Sequence, residues 1–193
     1  PTLALLASEG EVSIRITAKS ASIEEAEMLI ERAEEEIRNR VGQYCYGADD
    51  TSLMKETVKE IASLRLTIAA AESLTGGMFQ QELTGIAGAG NIFKGGIVSY
   101  TNEAKSNVLK VSDDTIATEG VVSECCAKEM AEQAMKLFGA DIGISFTGVA
   151  GPDPLEGHPV GTVFIGLAWK GKETKAIQLN LAGDRTRNRV MSV

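Results

Sequence analysis

RLTIAAAESLTGG, Arg65 to Gly77, is the stretch on which the fold turns. Its apolar run lacks the alternation of a half-exposed strand, so it reads as a strand buried on both faces, in a sheet covered by helices on either side. The serine, threonine and two glycines after it predict a sharp turn into a helix. In open α/β sheets ligands bind where the carboxyl end of a strand meets the N-terminus of the next helix. Gly76 and Gly77 would let backbone N–H groups approach a ligand, in the positive potential of that helix end. Ser73 and Thr75 place hydroxyls at the same spot. Taken alone, the pattern is equally served by Ser73 or Thr75 capping the helix, with the glycines making the turn.

Working outward, a helix is predicted from about Ser52 to Ser63, and GGIVSY reads as a second strand ending at Tyr100, followed by a helical stretch from near Asn102. A helix from Ser123 to Phe138 feeds the apolar strand DIGISFTG. The segments GTVFIGLAWK and ETKAIQLNLA form a hairpin around Lys170-Gly171, and DRTRNRVMSV opens a last helix that looks unfinished at Val193. Strands alternating with helices predict a layered α/β/α domain over residues 51–193. Residues 1–50 read differently. EVSIRIT, Glu11 to Thr17, alternates as a half-buried strand does. Ser22 then caps a helix with Glu25 three residues later and an apolar face at Ala26, Ile30, Ala33 and Ile37. GQYCYG adds a short strand before GADD breaks the chain, so this part is expected to be a small, incomplete α+β module.

With 44% hydrophobic and 24% charged residues, the chain has the make-up of a folded globular protein rather than a disordered one. A net charge of -8 repels a phosphate backbone, which argues against nucleic acid as the main ligand. No apolar run approaches the ~20 residues of a membrane span, and no signal-peptide pattern opens the chain, so a cytoplasmic protein with no membrane partner is expected. A start at Pro1 rather than Met suggests further sequence at both ends. Cys45, Cys125 and Cys126 give neither a disulfide framework nor zinc-site spacing and are read as buried thiols. The single histidine, His158, sits in the loop PDPLEGHPVG and reads as solvent-exposed; a serine nucleophile here would have a base other than histidine.

Three further segments carry candidate chemistry. SYTNEAK, Ser99 to Lys105, puts Tyr100 at a strand end and Lys105 about one helical turn after Asn102, so both can face the crevice beside Ser73. Lysine acts as a base only when its pKa of ~10.4 falls by ~3 units, which requires burial or a second cation. Either Lys105 is shifted in this way, or it stays charged, activates the Tyr100 phenol and polarises the substrate. FTGVAGPDP, with Thr147, Gly148, Ala150 and Gly151, forms a glycine-rich turn able to receive an anion or oxyanion. In GDRTRNR, Arg185, Arg187 and Arg189 oppose the dipole of the helix they begin, so at least one is expected to hold an anionic partner.

Together AESLTGG, VSYTNEAK, GVVSE, TGVAGPDP, HPVGTVFIG and GDRTRNR, in this order and spacing from Ser52 onward, resemble the C-terminal domain of the competence/damage-inducible CinA family. The opening PTLALLASEGEVSIRITAKS is similar to the KH-like connecting region of longer CinA proteins, although residues 1–50 hold no GxxG loop of the kind that clamps nucleic acid. The resemblance implies a nicotinamide-nucleotide amidase of the pyridine nucleotide cycle, turning nicotinamide mononucleotide and water into nicotinate mononucleotide and ammonia without metal or cofactor. It also implies Ser73 as nucleophile, Tyr100 and Lys105 as its activating partners, and Arg185 as the residue meeting phosphate or stabilising charge. Thr75, Gly76, Gly77, Thr147, Gly148, Ala150 and Gly151 would shape the pocket, and a homo-oligomer is expected. The alternative is a non-catalytic nucleotide-binding or protein-interaction module attached to an N-terminal ADP-ribose pyrophosphatase domain absent from this chain.

Overall fold

The computed structural model describes residues 1–8 and 10–193, in two compact units, Pro1–Glu56 and Thr57–Val193. The first unit pairs β1 (Thr2–Ser8) antiparallel with β2 (Glu11–Thr17) and adds helix α1 (Ile23–Val41). Ser22 caps α1, its hydroxyl accepting from the Glu25 N–H, as the sequence predicts. The apolar face of α1 is only half-buried. β1 escapes the sequence reading because TLALLAS has no polar–apolar alternation. The strand expected in GQYCYG is instead a 3₁₀ turn, Gly42–Tyr44. Gly42 ends α1 in a right-handed helical conformation (φ -56°, ψ -29°), and the chain tightens there rather than extending.

Helix α2 (Leu53–Ser63) carries the boundary between the units. After it come β3 (Ile68–Glu72), α3 (Met78–Thr84), β4 (Phe93–Val98), α4 (Asp113–Thr118), α5 (Glu124–Phe138), β5 (Ile142–Gly148), β6 (Thr162–Trp169), β7 (Lys175–Asn180) and α6 (Arg185–Met191). Among the described residues the second unit holds a five-stranded sheet in the order β4-β3-β5-β6-β7. β3 runs parallel to both β4 and β5, and the β6–β7 hairpin continues the sheet antiparallel. All five residues of β3 are buried, the double-sided burial expected of the IAAAE run. β4 ends at Val98, two residues before Tyr100, though the Ser99 N–H still donates to Glu72 O at 2.9 Å.

Helices cover both faces of the sheet, and two adjacent glycines of β4 mark the layers. A Cβ on Gly95 would meet the Phe138 ring of α5, and one on Gly96 would meet the Gln80 side chain of α3. Because neighbouring strand residues point to opposite faces, α3 and α5 lie on opposite sides. Helix α5 sits close to its face: Ala127, Ala131 and Ala134 are fully buried, and Ser145 on β5 donates to the Ala127 carbonyl at 2.6 Å. Cys126 is buried on that face, whereas Cys125 is exposed and Cys45 half-buried. Successive helical residues point about 100° apart, so only one of the Cys125-Cys126 pair can face the sheet. No helix among the described residues is long and apolar enough to cross a membrane.

The closeness of α5 gives a stability prediction. A Cβ on Gly143 would lie 2.9 Å from Met135 Cβ and closer still to the Ala131 carbonyl, so Gly143→Ala overpacks backbone against backbone. It should lower the unfolding free energy by about 2–3 kcal/mol. Gly90→Ala, where nothing lies within 4 Å, should stay within about 0.5 kcal/mol of the parent. Equilibrium urea denaturation of the two variants and the parent checks both values.

Candidate active site

Ser73 sits at the carboxyl end of β3, its N–H donating to Phe146 O at 2.9 Å and so prolonging the ladder with β5. With β4 on one side of β3 and β5 on the other, this is the point where the chain switches direction across the sheet, and the crevice there is open to a ligand. The residue before it, Glu72, is fully buried. Its carboxylate accepts from the N–H groups of Gly77 (2.9 Å), Phe79 (3.2 Å) and Gln80 (2.9 Å), the unpaired donors that open α3. The protein's own side chain therefore fills the positive end of this helix. The Gly76 N–H is also engaged, donating to Ser73 O at 3.1 Å. Gly76 and Gly77 serve the turn, through φ of 62° and 99°, rather than offering donors to a ligand.

Lys105 reaches the same point from the segment after β4. Ala104–Val108 winds as a π turn, with the Leu109 N–H on Ala104 O at 3.0 Å. Such a wide turn is a frequent device at functional sites. The Lys105 side chain is 1% exposed, and its Nζ lies 3.0 Å from both Ser73 Oγ and Ser99 O. Burial pushes this amine below the ordinary lysine range, and the charge of Glu156 only partly opposes that. Burial also pushes the Cys126 thiol up to about 12. At neutral pH the thiol stays protonated and gives Lys105 no counter-charge.

The other sequence-predicted residues divide into two groups. Tyr100, Thr147, Gly148, Ala150, Gly151 and Arg185 line one cavity with Ser73 and Lys105, of about 320 Å³, at the lower end of the range for small-molecule sites. Thr75, Gly76 and Gly77 do not line it. Thr75 is fully buried, its hydroxyl without a hydrogen-bond partner. Tyr100 is exposed, and its hydroxyl accepts from Arg185 Nη2 at 2.7 Å, while Arg185 Nη1 donates to Gly151 O at 2.6 Å. The partners of Arg185 are thus a phenol and a carbonyl. Thr147 donates its hydroxyl proton to Val121 O at 2.6 Å. His158 is half-buried rather than exposed, its ring meeting the Phe164 ring edge-on at 5.9 Å.

One residue of α6, Asn188, was missed by sequence reasoning, and another, Arg189, reads there only as one of three arginines at a helix start. Asn188 is fully buried and donates to Ala150 O (3.2 Å) and Gly183 O (3.0 Å). Arg189 donates from Nε to Leu74 O (3.1 Å) and from Nη2 to Thr75 O (2.9 Å). Positions 185, 188 and 189 share one helical face. That spacing is the signal in GDRTRNR which reading its arginines alone conceals.

Residues 50–193 match the family model of the CinA C-terminal domain, and residues 1–47 that of the damage-inducible protein CinA KH domain. Relatives whose names carry the words competence-damage inducible protein are 53% identical over 98% of this chain in Geobacillus sp. (strain WCH70) and 50% identical over 100% of it in Listeria monocytogenes serotype 4b (strain F2365). The chain spans about half the length of these curated relatives, 46% and 47%. Among solved structures, the competence damage-inducible protein A of Klebsiella pneumoniae subsp. pneumoniae MGH 78578 aligns with a TM-score of 0.69 at 35% identity, over 72% of this chain and 86% of its own. A CinA superfamily protein of Escherichia coli aligns with a TM-score of 0.70 at 28% identity, over 79% of this chain and 92% of its own.

The Glu72 network generates its own test. Glu72→Gln leaves one carboxamide oxygen to serve three N–H donors, and its NH₂ adds a competing donor. Unfolding free energy should fall by about 2–3 kcal/mol, read from denaturant titration. An unchanged midpoint would mean that the carboxylate does not hold the start of α3.

Proposed function

This chain belongs to the CinA family, and on that premise we propose that its second unit is a nicotinamide-nucleotide amidase, hydrolysing the carboxamide of nicotinamide mononucleotide. The observation that carries the reading is the 3.0 Å approach of the buried Lys105 Nζ to Ser73 Oγ. A desolvated amine whose pKa is lowered has a lone pair to spare, and a serine hydroxyl becomes a nucleophile only when a base takes its proton. Serine–lysine pairs of this type recur among acyl-transfer enzymes.

Ser73 Oγ attacks the carboxamide carbon while its proton passes to the neutral Lys105 amine. The resulting tetrahedral oxyanion collapses, the C–N bond breaks, and the Lys105 ammonium returns the proton to the nitrogen that leaves as ammonia. Water then attacks the Ser73 ester, again giving a proton to Lys105. Nicotinate mononucleotide departs and the Ser73 hydroxyl is restored. Ser99 O holds the lysine amine in line throughout. Arg185, fixed by Gly151 O and Tyr100, brings a positive charge to the cavity wall that suits a substrate phosphate.

Three measurements test the reading through ammonia release from nicotinamide mononucleotide. Ser73→Ala should reduce release to the uncatalysed background, and retained turnover would refute the nucleophile. Because the base is the neutral amine, the rate should rise with pH through the lowered Lys105 pKa and fall about tenfold per unit below it. An acid limb centred at or above about 10.4, the ordinary lysine value, would contradict a depressed base. Arg185→Ala should raise KM for the mononucleotide by about tenfold or more and leave the riboside, which lacks the phosphate, little affected.

A further inference from the structure

Hydrogen-bond accounting along the turn from Ser73 to Met78 leaves two donors over. The Ser73 N–H is on Phe146 O, Gly76 on Ser73 O, Gly77 on Glu72, and Met78 on Thr75 O. Among the described residues, the N–H groups of Leu74 and Thr75 have no hydrogen bond. Leu74 lines the cavity and directly follows Ser73, so its N–H belongs to the first peptide group after the proposed nucleophile. An anion forming at the carbon attacked by Ser73 Oγ arises beside this turn. Free backbone donors at such a place are the usual means of stabilising it.

Free donors help only if their peptide planes are fixed before the charge appears. Arg189 fixes them. Its Nε binds Leu74 O and its Nη2 binds Thr75 O, two consecutive carbonyls held by one planar fork. Leu74 O and the Thr75 N–H are the two ends of a single peptide group. A cation on the oxygen therefore sets the plane that carries the free N–H and polarises it into a stronger donor. Gly76 makes room for this arrangement: its φ is 62°, and a Cβ there would stand 3.4 Å from Arg189 Nη2. One residue earlier on α6, Asn188 holds Ala150 O, so a single short helix anchors the turns on both sides of the cavity.

We propose that Arg189 is a positioning residue for catalysis, clamping the Leu74 and Thr75 carbonyls so that the turn holds the free Leu74 N–H, at the cavity wall, as a preorganised oxyanion donor beside Ser73. This rests on the reading of Ser73 as nucleophile, but not on the identity of the amide. The experiment therefore follows two readouts on the full chain: the rate at which a fluorophosphonate probe labels Ser73, located by peptide mass spectrometry, and ammonia release from nicotinamide mononucleotide. Arg189→Ala should lower both the labelling rate and kcat by about 100-fold, with KM within roughly threefold of the parent. Millimolar guanidinium should restore part of each loss and ammonium should not, while Arg189→Lys should fall between parent and Arg189→Ala because one point donor replaces a fork.

Labelling of Arg189→Ala at the parent rate overturns the proposal. So does a loss confined to KM, or a loss that matches the unfolded fraction and is not rescued by guanidinium. Parent protein labelled at Ser73 but releasing no ammonia would remove the amide substrate alone, with the Arg189 assignment then decided by the labelling rates. Parent protein that is not labelled at Ser73 overturns both.

Discussion

A lysine amine held away from water has few ways to satisfy itself, and the candidate site is organised around that constraint. The side chain of Lys105 is 1% exposed and meets one hydroxyl and one carbonyl at 3.0 Å. Desolvation disfavours the ammonium form, and the adjacent Cys126 thiol is itself kept protonated by burial. An amine whose ammonium form is disfavoured thereby lies against Ser73 Oγ, the arrangement a serine nucleophile requires. Delivering the lysine there depends on the π turn after β4, and fixing the serine depends on its place at the end of a fully buried central strand.

The turn after β3 resolves a competition between structure and chemistry. A helix N-terminus attracts any nearby anion, but here the Glu72 carboxylate already occupies it with three N–H bonds. The positive end of α3 is a structural joint, and the donors left for chemistry are those nearer Ser73. On the opposite side α6 reaches back over more than a hundred residues of chain. Its Arg185, Asn188 and Arg189 take carbonyls from both glycine-containing turns, and Tyr100 is held by the same Arg185. A cavity assembled from loops thus acquires a rigid frame.

How much of this is legible in the sequence depends on the range of each interaction. The unbroken apolar run before Ser73 announces a doubly covered strand, and the Ser22–Glu25 spacing announces the start of α1; both are local. Ser73 and Lys105 can be singled out from strand-end and helix-turn positions, and Tyr100, Thr147, Gly148, Ala150, Gly151 and Arg185 do share their cavity. The assignments that differ are those settled by distant partners. Glu72 reads as one more strand residue, because nothing in AESLTGG says that its carboxylate turns back onto the next helix. Gly76 and Gly77 read as ligand-facing for the same reason. Asn188 and Arg189 donate to carbonyls 38 and 115 positions away, partners that their shared helical face does not identify. β1 hides in TLALLAS because its apolar residues do not alternate.

The protonation state of Lys105 is the quantity on which the account stands. A ¹⁵N-detected titration of lysine side chains, with the Lys105 signal assigned by its absence in Lys105→Arg, measures it without any substrate. The account predicts a midpoint below about 10.4, the ordinary lysine value, and a shift of this resonance when Ser73 is replaced by alanine. A midpoint at or above that value, with no response to the loss of the serine hydroxyl, would contradict the buried base.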